Sequence, residues 1–303
     1  MKLLTFNQDG QQKLGIATPQ GVLDVSQAIG AFGRQDANIP ATVMEAITGG
    51  DDSIAKLRKL VDQALEASER STLFLNETEL TLGPCVTHPN KIICVGLNYR
   101  KHAEETNAPI PQFPILFNKF NNTLTGHGYD VALPKVSSKV DYEAELVIVI
   151  GKEAKYVDKD SALDYVFGYA CVNDLSARDL QLRTSQWLTG KSCDGFSPLG
   201  PYLVTADETG NPNDLEIRCT VNGEIRQNSN TADMIFHCDE IVSYISQYMT
   251  LAPGDIILTG TPEGVVLGYP EEKQVWLKDG DIVTVEIEKL GKLTNRMVAE
   301  ARL

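Results

Sequence analysis

The sequence has little positive charge. Its 27 Lys and Arg residues are outnumbered by 41 Asp and Glu residues, which gives a formal net charge of -14 at pH 7. Such a charge opposes phosphate backbones and anionic lipid surfaces, so we expect no nucleic-acid partner. The chain also lacks any run of roughly 18 apolar residues, the length that a membrane-spanning helix needs, so we expect no membrane association. Its N-terminal segment turns polar too early for a signal peptide.

Cysteine is scarce and scattered. The six cysteines include no Cys-x-x-Cys pair, so the sequence indicates neither a structural zinc site nor a disulfide framework. Reduced thiols in a cytoplasmic protein are the simplest interpretation. We therefore expect a cytoplasmic location, with a mitochondrial one left open.

The 303 residues suffice for one large domain or for a large and a small one. Residues 1–83 combine short strand candidates with a helical pattern, clearest from Ile54 to Ser68, and predict a small N-terminal α/β domain. Residues 84–303 carry mostly short strands between Gly and Pro turns, with helices predicted at 160–166, 177–183 and 239–248. This pattern predicts a mostly β, α+β fold, built as a sandwich or rolled barrel rather than a doubly wound sheet.

Two glutamates lead into the clearest strand. Glu143 and Glu145 precede the apolar run 146–150, and they point to the same face because side chains alternate along a strand. Two carboxylates that enter a buried strand repel each other and are costly to desolvate. A divalent cation between them would remove both problems, and oxygen ligands suit Mg²⁺ or Mn²⁺. The alternative is an exposed strand start with two solvated glutamates.

A third acid stands at the end of another strand. Asp174 follows the apolar segment 167–173 and precedes a helical run. At a strand end it is well placed to meet a metal held by a neighbouring strand. The alternative is an N-cap for the following helix, a position that Asp commonly occupies.

Candidate catalytic groups lie outside these strands. His102 and Glu105 are three residues apart, so on one helical turn they can touch and form a general base. The alternative is an exposed loop histidine among surface charges. Lys191 lies in a loop rich in Gly and Pro, where it could hold a substrate carboxylate or an oxyanion, or be solvated. The Gly-rich segment 253–265 could bind a carboxylate through its amides and hydroxyls, or form a plain turn.

Six segments of the chain, taken together and in order, resemble those of the fumarylacetoacetate hydrolase family. They cover residues 96–105, 141–145, 172–179, 190–201, 221–224 and 258–262. The resemblance extends from about residue 85 to residue 295, and the first 80 or so residues look like the variable N-terminal extension of longer members. One departure is Ser197, where many members carry a cysteine, and this leaves the shape of the pocket open.

The resemblance implies a fold, an assembly and a set of site residues. The fold is a mixed β-sandwich roll, and the assembly is a homodimer. The cofactor is Mg²⁺ or Mn²⁺. The implied site residues are the metal ligands Glu143, Glu145 and Asp174, the catalytic residues His102, Glu105 and Lys191, and the substrate-binding residues Arg178, Gln181 and Thr261.

The chemistry implied by the resemblance acts on a small 2-oxo acid. A divalent cation can stabilise the enolate that forms when a bond to C3 breaks. Loss of CO₂ makes an oxaloacetate decarboxylase, water attack on a C4 ketone makes an acylpyruvate hydrolase, and proton movement makes an isomerase of a 2-hydroxy-dienedioate. Because the pair His102 and Glu105 is present, we expect C–C cleavage rather than isomerisation. A non-catalytic metal-binding scaffold is an alternative of another class, and the complete residue set argues against it.

Overall fold

The computed structural model describes residues 1–33, 38–67 and 72–300. The strands of the described chain are Lys2–Gln8 (β1), Gln11–Thr18 (β2), Gly21–Asp24 (β3), Phe74–Leu75 (β4), Thr81–Leu82 (β5), Ile92–Gly96 (β6), Ile115–Lys119 (β7), Leu124–Thr125 (β8), Asp130–Leu133 (β9), Val140–Asp141 (β10), Ala144–Ile150 (β11), Val166–Asn173 (β12), Ser176–Ala177 (β13), Ser197–Thr205 (β14), Glu216–Val221 (β15), Glu224–Asn230 (β16), Ile256–Leu258 (β17), Ile282–Ile287 (β18) and Gly291–Ala299 (β19). The α-helices are Val25–Phe32 (α1), Val43–Glu66 (α2), Arg100–Glu105 (α3), Arg178–Gln181 (α4), Leu188–Lys191 (α5), Ala206–Thr209 (α6) and Cys238–Tyr248 (α7).

Two mixed sheets dominate the described chain. The larger has twelve strands, with the order β4-β3-β2-β1-β14-β12-β11-β17-β6-β7 and with β5 and β8 attached to its side. The smaller has five strands in the order β16-β15-β18-β19-β9. Most pairs are antiparallel, but β17 runs parallel to β6 and β19 parallel to β9. The predicted mostly β, α+β sandwich is therefore confirmed.

Strand β11 is buried on both faces, and the two faces have different neighbours. Leu146 and Ile148 belong to the core between the two sheets, together with residues of β15, β18 and β19. Val147 and Val149 point the other way, into a second core that contains residues of helix α2. Since side chains alternate, Glu145 lies on the face of Val147 and Val149. The carboxylate therefore stands at the end of a buried apolar row.

The N-terminal residues are joined to the larger sheet. Strand β1 pairs with β14, with Leu3 opposite Leu203. Both leucines are fully buried in the second core, which α2 covers. The boundary predicted near residue 83 thus falls within one continuous sheet, and a separate N-terminal domain stays a prediction.

Two predicted helices differ from the structure. The segment 160–166 forms a 3₁₀ helix, Lys159–Tyr165, because Val166 already pairs with Ile150 in the sheet. The segment 177–183 contains only the short helix α4, because Ala177 pairs with Val140 in a two-strand ladder. The predicted helix 54–68 begins earlier, as α2, and its last residue, Ser68, lies outside the described residues. Among the described helices, none has the length and apolar character needed to cross a bilayer.

Leu3→Ala tests the joined core. We expect it to lower the free energy of unfolding by about 2–5 kcal/mol, because it leaves a cavity between β1, β14 and α2. Chemical denaturation followed by circular dichroism measures this loss. Ile225→Ala, at a side chain that is 61% exposed, serves as the control and should stay within about 0.5 kcal/mol of the wild type. Equal effects of the two substitutions would contradict the described packing.

Candidate functional site

The three predicted acidic ligands meet at the ends of two neighbouring strands of the larger sheet. Glu143 and Glu145 stand at the start of β11, and Asp174 follows β12. The pairing of the two strands places them together, since the Asp174 amide donates to the Glu143 carbonyl at 2.9 Å. One carboxylate oxygen from each residue lies within 4.8 Å of the others, and all three side chains are buried. The structure therefore brings the predicted set together.

Basic side chains neutralise part of this acidic cluster. Lys191 Nζ lies 2.6 Å from Glu143 Oε2 and 2.8 Å from Asp174 Oδ2. Arg178 lies 2.7 Å from the other Glu143 oxygen. Burial favours protonation of Glu143, but the positive charges of Lys191 and Arg178 outweigh it and lower the pKa of this carboxyl to about 2. Glu143 is thus held ionised at the floor of the site.

Glu145 differs from the other two acids. Within residues 1–33, 38–67 and 72–300, its carboxylate receives one hydrogen bond, from the Gly260 amide at 2.8 Å, and forms no ion pair. Burial, followed by the charges of Asp174 and Glu143, raises the pKa of Glu145 well above its ordinary value. A buried carboxylate without a cationic partner, beside two others, is a donor set that fits a hard divalent cation. Glu143, Glu145 and Asp174 are the residues that would hold it.

His102 and Glu105 lie next to the acidic cluster, on helix α3. His102 Nδ1 is 2.8 Å from Glu105 Oε1, as the helical spacing predicts. Because a carboxylate can only accept, Nδ1 is the donor of this bond. In the described chain no other hydrogen bond reaches the His102 ring, so Nε2 is left available as a base.

A cavity of 630 Å³ connects these groups. Its polar side is formed by the His102 pair and by Glu143, Glu145 and Lys191 of the acidic cluster, and its apolar side includes Phe117 and Trp187. Ala108 and the stretch 267–270, which come from two loops of the chain, line the cavity as well. A cavity of this size can enclose a small organic substrate.

The predicted substrate-binding residues also line this cavity, and each has protein partners. The Arg178 guanidinium pairs with Asp141 and Glu143. It also donates to Gln181 Oε1 at 2.9 Å, which leaves the Gln181 amide NH₂ group for a ligand. Thr261 Oγ1 donates to the Ala144 carbonyl. Contact with substrate therefore stays a prediction for these residues.

Two further charged residues belong to the site but were not among the predicted ones. Lys119 is fully buried, and its Nζ bonds to Asp174 Oδ1 and to the Phe196 carbonyl. Asp141 is buried as well and accepts from Arg178 Nε at 2.9 Å. The sequence held a signal for each. Lys119 ends a strand whose first three residues are apolar, and Asp141 stands two residues before Glu143.

The fold and the site can now be compared with known proteins. The family model described as fumarylacetoacetate (FAA) hydrolase C-terminal matches residues 91–298. This chain belongs to the fumarylacetoacetate hydrolase family. It is 42% identical to the mitochondrial oxaloacetate tautomerase FAHD2A of Bos taurus over 280 residues, which are 92% of this chain and 84% of that protein.

Solved structures extend the similarity to nearly the whole chain. The fumarylacetoacetate hydrolase of Exiguobacterium antarcticum is 32% identical, with a TM-score of 0.81, over 99% of this chain and 100% of that one. The maleylpyruvate hydrolase of Sphingobium sp. SYK-6, solved with manganese(II) and pyruvate, is 30% identical, with a TM-score of 0.78 and the same coverage. The family thus includes a relative that holds a manganese ion, which agrees with a metal role for the acidic cluster.

Glu145→Gln should have opposite effects with and without metal. Because folding raises the pKa of Glu145, the free energy of unfolding decreases as the pH rises above the ordinary pKa of a glutamate. This loss of stability disappears as the pH falls. In EDTA-treated protein at pH 8 we therefore expect the variant to melt at a higher temperature than the wild type, with a smaller difference at pH 5. We expect Mn²⁺ to bind the variant at least about tenfold more weakly in calorimetry.

Glu104→Gln is the matched control, because Glu104 is exposed and the substitution removes one carboxylate outside the cluster. It should change neither the melting temperature nor Mn²⁺ affinity. A variant at position 145 that melts lower without metal and binds Mn²⁺ like the wild type would contradict the metal role.

Proposed function

We propose that this protein interconverts the enol and keto forms of oxaloacetate, or of a closely related small 2-oxo diacid, with Mg²⁺ or Mn²⁺ as cofactor. The observation that carries the proposal is the hydrogen-bonded pair of His102 and Glu105 at the wall of a cavity that Glu143 and Glu145 also line, with the Asp174 carboxylate beside them. The relative named as an oxaloacetate tautomerase, which matches 92% of this chain, supports this choice of reaction.

The proposed reaction moves one proton and breaks no C–C bond. A divalent cation held by Glu143, Glu145 and Asp174 would supply Lewis-acid stabilisation of negative charge on the substrate oxygens. His102 Nε2 takes the proton of the enol O–H and delivers it to C3, and in the reverse direction it takes a proton from C3 and returns it to the oxygen, so the imidazole ends each cycle as it began. Glu105 fixes the orientation of the imidazole ring and stabilises its protonated form. The acid–base pair would serve this proton transfer as well as C–C cleavage, so the choice of tautomerisation follows the relative named for it.

Lys191 has a charge-balancing part in this mechanism. Its ammonium lies between Glu143 and Asp174, which are both potential metal ligands. A positive charge at that position limits the negative charge of the site and favours an anionic substrate despite the net charge of -14. The apolar wall at Phe117 and Trp187 keeps water away from the carbon that receives the proton.

A second candidate is hydrolysis of a larger acylpyruvate, which is one of the two C–C cleavages that the sequence favoured, the other being oxaloacetate decarboxylation. The cavity of 630 Å³ has more room than a four-carbon diacid needs. The maleylpyruvate hydrolase of Sphingobium shares the fold at 30% identity. In this reaction His102 would take a proton from the attacking water instead of exchanging one with C3.

Three parallel assays on metal-depleted protein with Mg²⁺ or Mn²⁺ added back separate the candidates. The first follows the loss of ultraviolet absorbance of enol-oxaloacetate, the second measures CO₂ release, and the third follows acylpyruvate hydrolysis. We expect metal-dependent acceleration in the first assay above the spontaneous rate with the same metal. Faster turnover of an acylpyruvate would favour the hydrolase, and no activity despite bound metal would favour a scaffold.

The predicted homodimer and cytoplasmic location remain proposals. Light scattering on the purified protein tests the first, and localisation of the tagged full chain in its source cell tests the second. The tautomerase relative is described as mitochondrial, so a mitochondrial location is the alternative outcome of the second test.

His102→Ala should lower kcat in the tautomerase assay by about 10²–10⁴-fold, because it removes the proposed acid–base group. Mn²⁺ affinity should stay within about twofold of the wild type, because His102 is not one of the proposed ligands. His88→Ala, at an exposed histidine, is the control and should leave both quantities unchanged. Unchanged turnover in the His102 variant would remove this residue from the mechanism.

A further inference from the structure

The Glu105 carboxylate is held from two sides. Its Oε1 accepts from His102 on the same helix, and its Oε2 accepts from the Gly264 amide at 2.9 Å. Gly264 belongs to a different part of the chain, the loop 264–268 that follows β17. The geometry of the catalytic pair is therefore set by this loop as well as by helix α3.

Gly268 leaves the space that the Glu105 carboxylate fills. A Cβ atom at position 268 would lie 2.4 Å from Glu105 Cδ and 2.5 Å from its Oε2, far inside normal contact distance. The Gly268 backbone is not in the left-handed region, so its conformation is open to alanine. Glycine at this position is therefore explained by the neighbouring carboxylate rather than by backbone geometry.

Buried groups that do not belong to helix α3 fix the loop. Asp141 accepts from the amides of Val266 and Leu267 at 2.8 and 3.0 Å. The Tyr142 hydroxyl donates to the Gly264 carbonyl at 2.9 Å. These bonds hold the loop through groups other than Glu105, so its position does not depend on the helix alone.

We propose that loop 264–268 is a seat that positions the Glu105 carboxylate against His102, with Gly268 as its positioning residue. This inference rests on the proposed acid–base role of the His102 pair. It adds that the pair is completed by a loop distant in sequence, and that the size of residue 268 controls the hydrogen bond between the two side chains. Asp141 extends the seat toward the metal cluster, because it also binds Arg178, the partner of Glu143.

A double-mutant cycle tests whether Gly268 acts through Glu105. We expect Gly268→Ala to lower kcat in the tautomerase assay by about 10²-fold with little change in KM, since it displaces the group that orients the base. In a Glu105→Ala background the clash is gone, so the same substitution should change kcat by less than about twofold. Equal losses in both backgrounds, or no loss in either, would overturn the proposal.

The control is Gly30→Ala. A Cβ at Gly30 meets nothing within 4 Å, so this variant should keep full activity. Both alanine variants should melt close to the wild-type temperature, because the atom displaced at position 268 is the end of a flexible side chain. Gly268→Ala could unfold the protein while the double variant Gly268→Ala, Glu105→Ala stays folded. The melting temperatures would then show the clash with Glu105 and support the proposal.

A measurement independent of turnover separates this inference from the proposed function. In ¹⁵N-labelled protein, the ring Nδ1–H signal of His102 reports its hydrogen bond to Glu105, and His102→Gln assigns that signal. We expect the hydrogen-bonded signal in the wild type and in Gly30→Ala, and its loss in Gly268→Ala. If Gly268→Ala keeps the hydrogen-bonded signal, the seat is overturned, even when the wild type shows tautomerase activity. If Gly268→Ala loses the signal and the wild type shows no tautomerase activity, the seat is supported and the proposed reaction is removed.

Discussion

The cost of burying like charges governs this structure. Glu143, Glu145 and Asp174 lie together at the ends of two neighbouring strands with their side chains buried, and such a cluster is tolerated only when positive charge is near. Lys191 and Lys119 supply part of it from two separate segments of the chain. Strand β7 and helix α5 are thereby tied to the carboxylates. The chemistry of the site and the folding of its surroundings depend on the same ion pairs.

Local sequence patterns predicted much of this arrangement. The alternation in β11 put Glu143 and Glu145 on one face, and the helical spacing of His102 and Glu105 predicted their contact, because both depend on neighbours only a few residues away. Asp174 was placed beside them by its strand and by the family resemblance. What local pattern could not provide was the partner of each group. Lys119 and Asp141 meet the site through contacts that span 37 to 55 residues, and only the folded chain defines them.

The same limit explains the differences in secondary structure. Helical propensity was present at 177–183, but the ladder between Val140 and Ala177 determines where the chain can turn. Loop 264–268 carried no ionisable residue that would mark it as functional. Its amides follow on from the Gly-rich segment 253–265, for which the sequence predicted carboxylate binding, and the Gly264 amide does bind the Glu105 carboxylate. The absence of a side chain at Gly268 has no such local signal, because only the folded chain places Glu105 against it.

The pairing of β1 with β14 has a consequence for how the protein is made. Leu3 and Leu203 are neighbours in the sheet, yet about 200 residues of synthesis separate them. At roughly 5–20 residues per second, the first strand waits on the order of 10–40 s on the ribosome for its partner. During that interval its apolar side chains need other cover. The pairing of β1 with β2, and the packing of α2 against Leu3, supply this cover from residues that are made long before β14.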